Sequence, residues 1–366
     1  MLKIKDILQH LEIYAPPTYQ EAYDNSGVIC GDVDQMAKGV LISLDAIESV
    51  VDEAISRNCN LIVAHHPIVF KGLKSLTGKN YIERTIIKAI KNDIVIYAIH
   101  TNLDNIHTGV NKKICDKIDL TETSILAPKE NTLLKLVTFV PKTNEGSVLQ
   151  SLYAAGVGNI GNYSNCSFRT AGKGSFKPND KADPHIGKAN KEEHVEEQRI
   201  EVILPVHKKN DVITALNRTH PYEEVAYYLT ELKNENQEIG AGMIGTLPES
   251  MNAEKFLNHL KKQMDLTCIR HTHMIHKKIN KVAVCGGSGS FLLGAAKSRG
   301  ADAFVTADFK YHEFFDAENK LMIADIGHYE SEVYTKELLY DILKEKFSNF
   351  ALNLSSIVTN PISYLS

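Results

Sequence analysis

Apolar and polar positions divide the chain into stretches of different character. Between residues 38 and 120, short apolar runs alternate with amphipathic segments. The runs 39–45, 61–64 and 94–99 are dense in Val, Ile and Leu and read as strands. Between them, 46–57 sets Ile47, Val50, Val51 and Ile55 on one helical face, and 82–91 reads as a second helix. Near-continuous apolar strands separated by amphipathic helices imply a parallel sheet covered on both faces. The plan returns near the C-terminus, with strands at 281–285, 303–308 and 321–325 and helices at 291–298 and 311–318. Asp45 precedes His65 by 20 residues, and Ser288 precedes Asp308 by 20. Two pseudo-equivalent βαβαβ halves are therefore expected to form one main domain, with strand ends converging on one cleft.

The middle of the chain has a different rhythm. Strands are expected at 133–141, 162–170, 199–206 and 225–232, helices at 145–155 and 211–218, and a mobile polar loop over 172–197. The order β-α-β-β-α-β is ferredoxin-like. The expected organisation is an α/β main domain of residues 1–129 and 246–366, carrying an inserted α+β domain at 130–245.

Composition narrows the function classes. A length of 366 residues suits two domains, or one with an insertion, and 43% hydrophobic with 23% charged residues is ordinary for a globular chain. A net charge of -4 provides no basic footprint, which disfavours nucleic acid as a partner. No apolar run reaches membrane-span length, and the N-terminus reads as an amphipathic helix without a signal-peptide core, so a cytoplasmic location is expected. Six cysteines without any Cys-x-x-Cys pair read as reduced, mostly buried thiols.

The chemistry concentrates at strand ends. The strand 61–64 runs into His65-His66-Pro67, and Pro67 biases His66 towards extended backbone, so the two rings should diverge. Diverging imidazoles suit two neighbouring metal ions. The strand 94–99 ends in His100-Thr101-Asn102-Leu103-Asp104, and 321–325 leads to His328 and Glu332, four apart on one helical face. His65, His66, Asp104, His328 and Glu332 together offer three nitrogens and two carboxylates, a set that suits zinc, iron or manganese. His100 is expected to orient a ligand or carry a proton, and Glu330 is a candidate base.

Other signals carry less. Gly240-Ala241-Gly242-Met243-Ile244-Gly245 fits a dinucleotide fingerprint but lacks the strand–helix setting, so it reads as a turn rejoining the insertion to the main domain. Gly286-Gly287-Ser288-Gly289-Ser290 reads as a tight turn, with anion binding by its amides as the alternative. His271, His273 and His276 have no acidic companions, and Cys285 reads as a buried thiol.

The combined motifs resemble the NIF-three-like family of dinuclear metal proteins, whose members carry the name GTP cyclohydrolase 1 type 2. The matching residues are Tyr23-Asp24-Asn25-Ser26-Gly27, Ala64-His65-His66-Pro67, His100-Thr101-Asn102-Leu103-Asp104, Gly286-Gly287-Ser288-Gly289, the run from Asp325 to Glu332, and Thr359-Asn360-Pro361. His220-Pro221-Tyr222-Glu223-Glu224 is similar to members with a PII- or CutA-like middle domain. The resemblance implies the same five ligands for two divalent ions per subunit, zinc first and iron or manganese as alternatives. It also implies a toroidal homohexamer with metal sites facing an internal cavity. The expected function is metal-dependent hydrolysis of a nucleotide or another phosphorylated small molecule. A non-enzymatic metal-binding regulator or scaffold is the alternative.

Overall fold

The computed structural model describes residues 2–273 and 278–365 and divides into two compact units, 1–128 with 237–366, and 129–236. The first unit is a mixed α/β structure with two sheets. One has the order Gly27–Cys30, Val95–Ala98, Leu61–Ala64, Val40–Ser43, Leu352–Leu354, all parallel except the first strand. In the other, Ile279–Ser288, Ala303–Ala307 and Met322–Asp325 run parallel, with antiparallel neighbours Asn236–Met251 and Arg270–His271 on either side. Thr121–Lys129 completes it next to Asn236–Met251.

Side-chain alternation explains how both faces are covered. Leu61 and Val63 point into a shared core with Val282, Val284 and Val305 of the other sheet. Helices Ile4–Tyr14, Ala253–Gln263 and Thr335–Lys346 add Ile7, Phe256 and Leu339 to that core. Ile62 and Ala64 point the other way, against Val50 and Ala54 of helix Glu48–Ser56 and Ile86 of helix Tyr81–Lys91. Phe304 and Ile323 pack against Leu293 and Ala296 on the outer face of the second sheet. With strands buried on both sides, every polar strand-end residue is pushed to the carboxyl edges.

The second unit is a four-stranded antiparallel sheet, ordered Phe168–Phe176, Glu193–Pro205, Leu133–Pro141, Tyr227–Leu232. Helices Glu145–Ala154 and Lys209–Thr219 bury Val148, Leu152, Val212 and Leu216 against Leu136, Ile200 and Leu204.

Three local expectations are corrected. The polar stretch 172–197 is strand at both ends, because Phe168–Phe176 pairs with residues 193–201 as an edge hairpin. Its residues are mostly exposed, so no apolar face marks the pairing. Residues 240–245 form no turn; they lie in strand Asn236–Met251, where Met243 pairs with Val284. Glycine is required there because a Cβ on Gly240 would sit 2.3 Å from the Ala127 carbonyl oxygen. Gly286-Gly287-Ser288 likewise continues strand Ile279–Ser288. His276 lies outside the described residues.

Gly240→Ala should therefore cost about 1–3 kcal/mol of stability through overpacking. A shift of the urea midpoint followed by far-UV circular dichroism measures this, and an unchanged midpoint contradicts the close strand approach.

Candidate metal centre

The carboxyl ends of the parallel strands of both sheets surround a cavity of about 400 Å³. His65 and His66 follow Leu61–Ala64, and His100 follows Val95–Ala98. Asp104 closes the short helix Thr101–Asp104. His328 and Glu332 occupy the helix His328–Glu332, which starts after Gly327 at φ 93, a left-handed conformation that glycine adopts without strain. The structure thus brings all five sequence-predicted residues, with His100, to one place.

The hydrogen bonds fix which atom of each ring faces inward. His65 is fully buried, and its Nδ1 donates to the Ile99 carbonyl at 2.8 Å. A carbonyl only accepts, so Nε2 carries a bare lone pair. That lone pair faces Asp104 Oδ1 at 3.5 Å, and neither atom has a hydrogen-bond partner among the described residues. Two buried polar atoms pointed at one another call for a proton or a metal ion between them. Burial pushes the His65 imidazole down to about 4. Burial and the neighbouring Glu332 charge push the Asp104 carboxyl well above the usual range.

The second cluster is hydrogen-bonded. Glu332 Oε2 accepts from His66 Nε2 at 2.9 Å and from His328 Nε2 at 3.1 Å, while Oε1 lies 3.9 Å from His65 Nε2. Burial opposes the Glu332 charge, yet the bonds from His328 and His66 hold it well below the normal carboxylate range. Burial likewise opposes charge on His66, but Asp45 and Glu332 outweigh it and raise the ring to about 10. His328 reaches about 9 against burial, through Glu332 and Asp308.

A shell of carboxylates outside the rings escaped the reading of the sequence. Asp45 Oδ1 accepts from His66 Nδ1 at 2.8 Å, Asp308 Oδ2 from His328 Nδ1 at 2.7 Å, and Asp24 Oδ1 from His100 Nδ1 at 2.8 Å. Such partners fix the tautomer and ring orientation of histidines that hold metals. Asp308 precedes its partner His328 by 20 residues and Asp45 precedes His66 by 21, a spacing that does not by itself mark an orienting carboxylate. Thr359, from the C-terminal Thr359-Asn360-Pro361, hydrogen-bonds Asp45 in turn.

Three groups of side chains have ligand atoms close enough for one ion: His65, Asp104 and Glu332; His66, His328 and Glu332; His65, His66 and His100. Glu332 belongs to the first two. His65 and His66 have ring centroids 4.9 Å apart with planes at 46°, so the neighbours are tilted but converge on one place rather than diverging as expected. Other candidates fall away. The Gly286 and Gly287 amides donate to Asn111 and Ser331 side chains, which takes two donors from the anion-binding reading. Gly287 is needed for closeness, since its Cβ would meet Glu332 Oε1 at 2.4 Å. Glu330 accepts from Asn360 and lies outside the cavity lining. Burial pushes the Cys285 thiol far up, which removes it as a thiolate nucleophile. Neither His271 nor His273 joins a metal-capable group among the described residues.

The model of the Duf34/NIF3 (NGG1p interacting factor 3) family matches residues 2–362. The chain belongs to the Duf34/NIF3 family. Among relatives of this NIF3 chain, a protein of Halalkalibacterium halodurans named GTP cyclohydrolase 1 type 2 homolog is 41% identical, covering 98% of each chain. The Bacillus subtilis protein of the same name is 37% identical, covering 99% of this chain and 98% of its own. The crystal structure of a Bacillus cereus protein related to NIF3 superposes with a TM-score of 0.88 at 37% identity, covering 100% of this chain and 99% of that one. No helix among the described residues is long and apolar enough to cross a membrane.

Nuclear magnetic resonance titration of the imidazoles in the chelator-stripped NIF3 chain tests these electrostatics. His65 should stay neutral until the pH falls towards about 4, while His66 and His328 hold their protons up to about 10 and about 9. Three rings titrating together near the ordinary histidine value would contradict it.

Proposed function

We propose that this chain is a metal-dependent hydrolase holding two divalent ions, with a nucleotide or another phosphorylated small molecule as substrate. The observation that carries the reading is the facing pair of buried atoms without a partner among the described residues, His65 Nε2 and Asp104 Oδ1, beside a carboxylate whose two oxygens serve different histidines. One ion would be held by His65, Asp104 and Glu332, the other by His66, His328 and Glu332. Zinc is the first choice for this nitrogen and oxygen set, with iron or manganese as alternatives. When bound, such a pair supplies Lewis acidity and hydroxide at neutral pH.

The chain's own residues do the rest. Asp45 and Asp308 hold His66 and His328 with Nε2 inward. His100, backed by Asp24, stands with its ring 5.3 Å from His65 and 5.4 Å from His66, where it can carry a proton to or from the reacting atoms. Tyr23 and Phe70, with centroids 6.2 Å apart, offer apolar surface at the cavity for a flat ring. The name borne by the relatives, GTP cyclohydrolase 1 type 2 homolog, fits a nucleotide substrate.

The reading extends to architecture. The parallel strand triplets of the two sheets, each ending in a histidine-bearing segment, support two equivalent halves. The sheet order and two helices of residues 129–236 support a PII/CutA-like insertion. We place the chain in a homohexamer in the cytoplasm.

Metal analysis of the purified protein joined to a nucleotide-hydrolysis screen tests the function. His65→Ala and Asp104→Ala should lose bound metal and turnover while keeping the wild-type circular dichroism spectrum. Asp45→Asn should retain the ligands yet weaken metal binding about 10–100-fold. Full metal occupancy with no turnover on any phosphorylated substrate would transfer the chain to the alternative, a metal-binding regulator. Wild-type metal content in His65→Ala would end the reading altogether.

A further inference from the structure

The unit formed by residues 129–236 contains a cavity of about 660 Å³ that the metal centre leaves unused. Its most informative lining residue is Glu197, in the strand Glu193–Pro205, only 9% exposed. Across the sheet it pairs with Pro141 on one side and Gly172 on the other, so no long side chain stands beside the carboxylate. Oε1 accepts from the Tyr222 hydroxyl at 2.8 Å. Oε2 lies over Gly174, where a Cβ would be 2.0 Å away, and it receives no hydrogen bond from the described residues. Of the basic residues at the cavity wall, Arg199 pairs with Glu201 at 2.9 Å and Lys173 with Glu196 at 3.9 Å, while Lys177 and His185 line the cavity beside them.

Tyr222 occupies one oxygen of this carboxylate, and the other opens onto the cavity, where it can accept from a positively charged donor. The rest of the lining suits a cation with an apolar body. Phe176 and Tyr222 have ring centroids 5.8 Å apart, Phe139 and Tyr228 5.7 Å, and all four rings line the cavity. Aromatic faces attract cations through their quadrupoles, most strongly where water is excluded. Among the described residues no metal-capable group of side chains lies at this cavity, and an anion would meet Glu197, Glu223 and Glu224 as like charges.

We infer that this cavity binds a small organic cation, its ammonium or amidinium group hydrogen-bonded to Glu197 Oε2 and its body against the Phe176 and Tyr222 rings. Gly174 keeps the space above Oε2 open, and Tyr222 holds the carboxylate in place from the other oxygen. The inference is independent of the metal centre.

Isothermal titration calorimetry of the full chain with benzamidine, and with its neutral analogue benzamide, tests it. Benzamidine should bind at millimolar concentration or below, and benzamide at least about tenfold more weakly. Glu197→Gln should weaken benzamidine by about tenfold or more. Gly174→Ala should do so independently by displacing the carboxylate, which guards against a folding defect in either variant alone. His65→Ala should bind benzamidine as the wild type does. Absence of binding, equal affinity for benzamide, or unchanged affinity in both Glu197→Gln and Gly174→Ala overturns the inference.

Discussion

Glu332 is 3% exposed and carries its charge with no lysine or arginine in contact among the described residues. Its stabilisation comes from imidazoles on two elements: His66 at the end of a strand in one sheet, and His328 on its own short helix after the other sheet. A buried carboxylate that loses such partners is strongly destabilised, so the two sheets must bring their carboxyl ends together at this point. Several features follow from that demand. Gly287 has no side chain because Glu332 Oε1 needs its space, and Ser331 ties the Gly287 amide to the same helix. Gly327 takes a positive φ so that the helix can start immediately after Met322–Asp325.

Charge is balanced in layers around this carboxylate. Asp45, Asp308 and Asp24 sit behind His66, His328 and His100, and each imidazole is pinned through Nδ1. His65 differs, since its Nδ1 is satisfied by a neutral carbonyl. That difference separates the rings: His66 and His328 are pushed towards the charged form by two carboxylates each, while His65 is kept neutral by burial. The neutral ring and Asp104 Oδ1 then face one another without a partner among the described residues. Side chains alone satisfy one half of the centre and leave the other half open.

Much of this was legible in the sequence because buried parallel strands have a strong signature. Leu61–Ala64, Val95–Ala98 and Met322–Asp325 lie within the apolar runs that announced them, and the polar residues just beyond had no location other than the sheet edge. The orienting aspartates were not legible, since an acid beyond a strand reads equally as a turn or cap residue. The edge strand Phe168–Phe176 was missed because exposed residues on an edge carry no apolar alternation. Strand Asn236–Met251 was hidden by glycines that serve close strand approach, a tertiary cause without a local pattern. Helix 311–318 appears as a 3-10 helix over Tyr311–Ala317, a difference that period alone cannot distinguish over two turns.

Anomalous diffraction from crystals of the metal-loaded protein, collected at the absorption edge of the bound element, addresses the centre most directly. The account predicts two peaks per chain, one beside each oxygen of Glu332, the first also touching His65 and Asp104 and the second His66 and His328. A single peak, or peaks remote from Glu332, would contradict it.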